Sequence, residues 1–139
     1  MSTKIFVNLA VKDLERSKRF FTELGYDFNP QFTDANAACL VISEDIYAML
    51  LVEPFFKTFT SKELVDARTS TEVLIALSVD SREEVDLMAT RALAAGGTEP
   101  RAAQDLGFMY SRAFDDLDGH TWEPVWMDPA AIASGPPAT

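Results

Sequence analysis

The sequence predicts an α+β protein built from two tandem βαβββ modules. Two β-rich runs, at residues 4–11 and 72–80, are each followed by apolar residues at helical spacing and then by glycine. Further strand-like runs follow each predicted helix, and the apolar–small–apolar triplet at 77–79 repeats the one at 9–11. The order of elements is the same in both halves, which indicates an internal duplication.

The first module is expected to span residues 4–53. Its first strand, at residues 4–11, leads to a helix that begins at Leu14. Asp13 can cap this helix by accepting hydrogen bonds from its unpaired amides, and Gly25 ends it. Three strand-like runs then follow, separated by short polar turns. They lie at residues 26–32, 37–43 and 46–53.

The second module is expected to span residues 72–127 and to follow the same order. After the strand at 72–80, Ser81 and Glu84 have the spacing of a capping box. The helix that they open runs to Ala95 and stops at two glycines, residues 96–97. The remaining strands are predicted at residues 98–101, 107–114 and 120–126.

Two segments lie outside the modules. The linker at 54–71 carries Phe55, Phe56 and Phe59, and Ser61 can cap a short helix running to Ala67. The phenylalanines must be covered by the sheet, or they form a lid or a dimer contact. The C-terminal tail at 128–139 is expected to be disordered, because its final residues have no apolar period.

Composition limits the classes of partner. The net charge is −10 and the pI is near 4.4, so nucleic acid and anionic membranes are not expected as partners. A neutral or cationic ligand fits this charge better. No apolar run reaches the roughly 20 residues that span a bilayer, and no signal-peptide pattern opens the chain, so we expect a cytoplasmic protein. The lone Cys39 is expected to be a small buried residue.

Two end segments narrow the fold further. The chain opens with VNLAVKDLERS at residues 7–17 and closes with DGHTWE at 118–123. Together with the duplicated element order, they resemble the vicinal oxygen chelate superfamily. Its members include glyoxalase I (lactoylglutathione lyase), extradiol dioxygenases, fosfomycin-resistance thiol transferases and bleomycin-resistance proteins. The resemblance implies a single domain over residues 1–127, a curved mixed sheet that forms a cup for a small-molecule ligand, and a homodimer.

Metal enzymes of that superfamily take one ligand from the first and last strand of each module. The positions that match are Phe6, Met49, Leu74 and Glu123. Only the carboxylate is a ligand for the divalent ions these enzymes use, and one carboxylate cannot hold such an ion. We therefore expect no metal and no cofactor. A shifted register would offer the neutral amide of Asn8, a weak ligand, instead of Phe6, but it would not restore a ligand at Met49 or Leu74.

The same resemblance implies which residues face the ligand. Strand alternation places Phe6, Asn8 and Ala10 on one side, and the superfamily match turns that side toward the cup. His120, the only histidine, is expected to be a turn or surface residue. The predicted ligand-binding residues are Phe6, Asn8, Tyr47, Met49, Leu74, Ser78 and Glu123.

Two functions remain open at this stage. The first is a binding protein, similar to the bleomycin-resistance branch, that holds a small hydrophobic or cationic organic molecule without a metal. The alternative is a glyoxalase- or dioxygenase-type enzyme, a lyase or an oxidoreductase, in which Glu123 is the catalytic residue and acts as a general base.

Overall fold

The computed structural model describes residues 2–134, which form two compact units. The first unit contains the residues up to Thr71 together with Leu117–His120, and the second contains Glu72–Asp116 and the residues from Thr121 onward. Each unit holds one mixed sheet and one long helix, so the predicted α+β class is confirmed. Across the described residues, no helix combines the length and apolarity that crossing a membrane requires.

The first unit has the predicted βαβββ order. Its main elements are β1 (Ile5–Val11), α1 (Leu14–Glu23), β2 (Asp27–Asn29), β3 (Ala37–Val41) and β4 (Ile46–Val52). The sheet order is β1-β4-β3-β2, with β1 parallel to β4 and the other pairs antiparallel. The predicted strand at 26–32 is shorter than expected, because a 3₁₀ turn at Pro30–Phe32 ends it.

Helix α1 covers one face of this sheet. Asp13 caps it as predicted, accepting from the Arg16 amide at 3.2 Å, and Gly25 follows its end with a φ of 102°. Phe20 and Phe21 are buried against β3 and β4. Burying two such rings stabilises the helix by roughly 2 kcal/mol each. Among the described residues, the opposite face of the sheet has no helix as long as α1.

The linker takes a different structure from the predicted one. Its helical turns are α2 (Glu53–Phe56) and a 3₁₀ turn at Lys57–Phe59, immediately after β4. Proline near the N-terminus of α2 favours this earlier start. The helix predicted from Ser61 to Ala67 is wrong, because these residues form only bends, turns and irregular backbone.

The second unit repeats the arrangement with shorter strands. Its elements are β5 (Leu74–Ser78), α3 (Arg82–Ala94), β6 (Gln104–Asp105), β7 (Met109–Ser111), β8 (Phe114–Asp115), β9 (Thr121–Met127) and α4 (Pro129–Ser134). The sheet order is β5-β9-β7-β6, β8 also pairs with β9, and β5 runs parallel to β9. The predicted cap of α3 is confirmed, because Ser81 accepts from the Glu84 amide at 3.1 Å.

Three predictions in this unit are corrected. The strand expected at 98–101 is reduced to a single bridge between Thr98 and Asp115. The strand expected at 107–114 is interrupted opposite Pro124, which has no amide hydrogen to donate, and so it forms the separate strands β7 and β8. The disorder expected at 128–139 is replaced by α4 over residues 129–134, while 135–139 lie outside the described residues.

The segment Leu117–His120 is fixed by hydrogen bonds within the first unit. The Asp118 carboxylate accepts from the Lys12 amide at 2.9 Å and from the Ser17 hydroxyl at 3.3 Å. His120 Nε2 lies 2.7 Å from the Ala10 carbonyl oxygen, which can only accept, so Nε2 carries the hydrogen. The acidic turn therefore anchors the end of β1 and the start of α1.

Gly119 is the position in this turn where a side chain cannot fit. Its φ is +90°, and a Cβ there would lie 2.7 Å from the Arg68 amide nitrogen. We expect Gly119→Ala to lower the free energy of unfolding by about 3 kcal/mol, about 1 from the positive φ and about 2 from the backbone clash. Urea denaturation monitored by circular dichroism measures this loss.

Gly107→Ala is the matched control. Gly107 has a φ of +82°, but a Cβ there would have nothing within 4 Å. It should lose only the conformational cost of about 1 kcal/mol. Equal losses in the two variants would contradict the close approach at Gly119.

Candidate functional site

The uncovered sheet face of the first unit gathers four of the predicted ligand-binding residues. Phe6 pairs with Tyr47 and Asn8 pairs with Met49 across the parallel strands β1 and β4. Because paired residues point to the same side, all four lie on the face opposite helix α1. The strand alternation deduced from sequence and the observed register agree on this point.

Phe6 and Tyr47 form a stacked pair on this face. Their ring centroids are 4.8 Å apart and their planes differ by 10°. The Tyr47 hydroxyl donates to the Glu44 carbonyl oxygen at 2.8 Å, which fixes the orientation of the ring. Phe6 is still 49% exposed, so the stack presents apolar surface at the edge of the sheet.

A cavity of about 380 Å³ opens beside this pair. It lies between the uncovered sheet face, the 3₁₀ turn at Pro30–Phe32 and the helical turns that follow β4. Its wall includes the predicted residues Asn8 and Met49, whereas Phe6 and Tyr47 lie outside it. The full lining is Asn8, Gln31, Phe32, Thr33, Asp34, Ala37, Met49, Leu51, Phe55 and Phe59.

Phenylalanines form the rim of the cavity, and sequence reasoning did not assign them to the site. Phe55 and Phe59 meet edge to face at 5.2 Å, while Phe32 and Phe59 are 62% and 69% exposed. Asp34 is the single carboxylate in the lining, and its Oδ1 accepts from the amides of Asn36 and Ala37 at 2.8 and 3.1 Å. In the sequence, the run of phenylalanines in the linker was the pattern that could have indicated Phe55 and Phe59 as rim residues.

The uncovered sheet face of the second unit holds the other three predicted residues. Leu74 pairs with Thr121, Ala76 pairs with Glu123, and Ser78 pairs with Val125. Leu74, Ser78 and Glu123 therefore share one face. Leu74 and Ser78 are exposed and Glu123 is half-buried.

Glu123 has a cation beside it that the sequence did not reveal. Arg101 donates to Glu123 Oε2 from its terminal nitrogen at 3.2 Å and from Nε at 3.4 Å. The same guanidinium also donates to the Ser111 hydroxyl at 3.2 Å and to the Ala102 carbonyl at 3.0 Å. The sequence predicted a strand that ends at Arg101, but this residue lies in irregular backbone between the Thr98 bridge and β6.

Tyr110 and Arg112 lie on the opposite, helix-covered face. The Tyr110 hydroxyl donates to Asp86 on α3 at 2.7 Å, and this hydrogen bond raises the pKa of Tyr110. Arg112 forms ion pairs with Asp86 and Glu99. These contacts bind helix α3 to the sheet and leave both residues away from Glu123.

The residues at the matched metal positions do not fit a divalent ion. Phe6, Met49 and Leu74 have no ligand atom suited to such an ion, and Glu123 is engaged by Arg101. Asn8, the alternative from a shifted register, donates to the Phe6 carbonyl at 3.1 Å. Among residues 2–134, no three His, Cys, Asp or Glu side chains are grouped to hold a metal.

The two remaining candidates, His120 and Cys39, do not line the cavity. His120 is half-buried at the Ala10 carbonyl in the first unit, so its hydrogen bond supports β1. Cys39 is buried on β3, and desolvation raises the pKa of its thiol. Burial and the raised pKa both disfavour the reactive thiolate.

Comparisons with known proteins found one matching family model. A family model described as "Bleomycin resistance protein-like N-terminal" matches residues 3–43. Among proteins with curated descriptions, no match to the chain was found.

Solved structures match over nearly the whole chain. A hypothetical protein, SA1046, from S. aureus is 30% identical with a TM-score of 0.76, and the alignment covers 91% of this chain and 95% of that one. A glyoxalase/bleomycin resistance protein/dioxygenase family enzyme from Burkholderia phytofirmans is 16% identical, with a TM-score of 0.74 and coverages of 91% and 99%. The fosfomycin resistance protein FosX from Mesorhizobium loti is 18% identical, with a TM-score of 0.68 and coverages of 96% and 98%. The last two similarities show the fold.

Metal titration tests the interpretation of the matched positions. We expect elemental analysis and calorimetric titration with nickel, zinc, manganese and iron(II) to show no stoichiometric binding, because a single arginine-paired carboxylate cannot replace water around such an ion. Stoichiometric binding that disappears in Glu123→Ala would contradict this interpretation. Binding retained in Glu123→Ala would place the ion elsewhere on the chain.

Proposed function

Since the chain belongs to the vicinal oxygen chelate superfamily, the glyoxalase/bleomycin-resistance/dioxygenase fold, we propose that it binds a small, predominantly apolar organic molecule without a metal. The cavity of about 380 Å³ on the uncovered face of the first unit is the observation that carries this proposal. Ligand pockets in proteins commonly have volumes of about 300–1,000 Å³, apolar walls and few polar groups. The match to the bleomycin-resistance N-terminal family over residues 3–43 also supports it.

The lining favours an aromatic ligand. Phe32, Phe55 and Phe59 offer ring faces and edges at the rim, and Met49 adds a flexible apolar wall. Asn8 is one polar group that can orient the ligand by a hydrogen bond. A planar ring system would gain stacking contacts in this cavity in addition to the burial of its surface.

A positive charge on the ligand would be favoured by Asp34 in this cavity. The sequence suggested Glu123 for that role, but Arg101 already pairs with Glu123 in the second unit. Asp34 lies in the cavity lining, and the net charge of −10 adds a weak general attraction for cations. The proposed ligand is therefore neutral or cationic.

The enzyme alternative has less support. A general base needs a carboxylate oxygen within hydrogen-bond reach of the substrate proton. Arg101 engages Oε2 of Glu123, and every residue that lines the cavity belongs to the first unit. If the enzyme interpretation were correct, Glu123→Gln would abolish turnover of a substrate while leaving the fold intact.

Ligand binding can be tested with two naphthalene probes of nearly equal shape, naphthylmethanol and naphthylmethylamine. We expect calorimetric titration to show both binding, and Phe59→Ala to weaken both about tenfold. The substitution removes contact over about 55 Å² of apolar surface, worth about 1.4 kcal/mol at about 25 cal/mol per Å². Asp34→Asn should weaken only the amine, about threefold at low salt, because the amide keeps the acceptor oxygen and loses the charge.

Val65→Ala is the control for this test. Val65 is an apolar residue of the first unit that is 59% exposed and does not line the cavity. Its removal should leave both affinities unchanged. The proposal fails if neither probe binds, or if Phe59→Ala and Val65→Ala have equal effects.

A cytoplasmic location stays a prediction. We also propose that the chain is a homodimer. Support for the dimer comes from the apolar side chains exposed at the start of β1 and β4, Ile5 at 52%, Phe6 at 49% and Ile46 at 39%. A second copy would remove this surface from water. Sedimentation velocity should give twice the 15.4 kDa of one chain.

The charge-introducing variant Phe6→Asp should shift the dimer toward monomer. Leu87→Asp, which places the same charge at an exposed position of helix α3, should leave the dimer intact. A wild-type protein that sediments only as a monomer at micromolar concentration would refute the dimer.

A further inference from the structure

The ion pair between Arg101 and Glu123 has looser geometry than two of the three other arginine ion pairs described in the second unit; the third, Arg112–Asp86, has an N–O distance of 3.3 Å. Arg82 donates to both oxygens of Asp105, at 2.8 and 3.1 Å. Arg112 donates twice to Glu99, at 2.9 and 3.1 Å. Arg101 reaches one oxygen of Glu123, at 3.2 and 3.4 Å, whereas charge-assisted bonds of this kind are usually about 2.7–2.9 Å.

The position of Arg101 does not depend on Glu123. Its guanidinium also donates to the Ser111 hydroxyl and the Ala102 carbonyl, which are neutral partners. Ser111 is buried, so its hydroxyl is a fixed acceptor. Glu123 is held in turn by its place in the middle of β9. The protein thus fixes a positive and a negative group side by side.

Both charges lie where a ligand can reach them. The side chains of Arg101 and Glu123 are 34% and 21% exposed on the uncovered face of the second sheet. The strand partner of Glu123 is Ala76, which is exposed and has only a methyl side chain. Leu74, on the same strand and face as Ala76, is 55% exposed and offers an apolar contact.

We propose that Arg101 and Glu123 form a binding site for a zwitterionic head group of the α-amino acid type. The ligand carboxylate would bind the guanidinium fork, which suits planar oxyanions, and the ligand ammonium would bind the Glu123 carboxylate. A ligand with only one charge meets repulsion from the like-charged member of the pair. A zwitterion gains both attractions, so the pair selects for it. This site goes beyond the cavity of the first unit and does not rest on the function proposed for it.

Three probes with one phenyl skeleton test the proposal: phenylalanine, phenethylamine and hydrocinnamate. Amide chemical-shift titration by NMR identifies where each probe binds. We expect phenylalanine to shift Ser111, Thr121 and Glu123, and to bind the wild-type site about fivefold or more tightly than either singly charged probe at low salt. High salt should reduce this preference.

Two charge-removing variants should reverse the selectivity in opposite directions. Arg101→Gln leaves the carboxylate and should favour phenethylamine, whereas Glu123→Gln leaves the guanidinium and should favour hydrocinnamate. Arg101→Lys keeps the charge without the fork and should retain part of the preference for phenylalanine. Arg91→Gln removes an exposed arginine of helix α3 and is the matched control, with no expected change. Thermal unfolding checks that each variant is folded.

The outcomes separate this site from the cavity. Shifts confined to Asn8 and Met49 would place the phenyl probes in the first unit and overturn the zwitterion site. Equal binding of the three probes near Glu123, or variants that do not exchange their preference, would show that the ion pair is only structural. An exchange of preference together with weak naphthalene binding would support this site and oppose the cavity proposal.

Discussion

Coverage of one face of each sheet by a helix is the constraint on which the rest of the structure depends. In the first unit, Phe20 and Phe21 of α1 are buried on β3 and β4; in the second, Val85 and Ala89 of α3 are buried over a sheet that contains Trp122. Because side chains alternate along a strand, burying one set leaves the other set on the uncovered face. The helices thereby decide which residues of β1, β4, β5 and β9 are available for binding.

The two uncovered faces share a backbone pattern and differ in chemistry. Asn8 pairs with Met49 in the first unit as Ala76 pairs with Glu123 in the second, so the duplicated strands keep one register. The first face adds phenylalanines from the segment after β4 and becomes an apolar cavity. The second adds Arg101 and becomes a charged surface. These differences come from the loops, because the repeated core must stay packed and tolerates less change than the segments that connect it.

Sequence periodicity was sufficient for the two long helices, α1 and α3, and for the strand faces, and it was insufficient where strand pairing or tertiary contact decides. Asp13 and Ser81 could be identified as helix caps from the sequence, because a cap is a hydrogen bond between residues that are close along the chain. The break opposite Pro124 depends on which strand lies beside Arg112, and that is not a local property. Strand alternation together with the superfamily resemblance predicted that Asn8, Met49 and Glu123 lie on the faces opposite the helices, and their register places them there. Phe32 and Arg101 were missed because the strands predicted at 26–32 and 98–101 stop before them: Phe32 lies in a 3₁₀ turn and Arg101 in irregular backbone.

Glu123 shows why one retained carboxylate does not indicate a retained metal site. A half-buried carboxylate loses part of its hydration, and a cation or several hydrogen bonds offset that loss. A divalent ion would need further ligands, and Phe6, Met49 and Leu74 supply none. Arg101 meets the same electrostatic need with one side chain that is anchored by Ser111. Arg101 therefore gives the face a paired charge instead of a bare negative one.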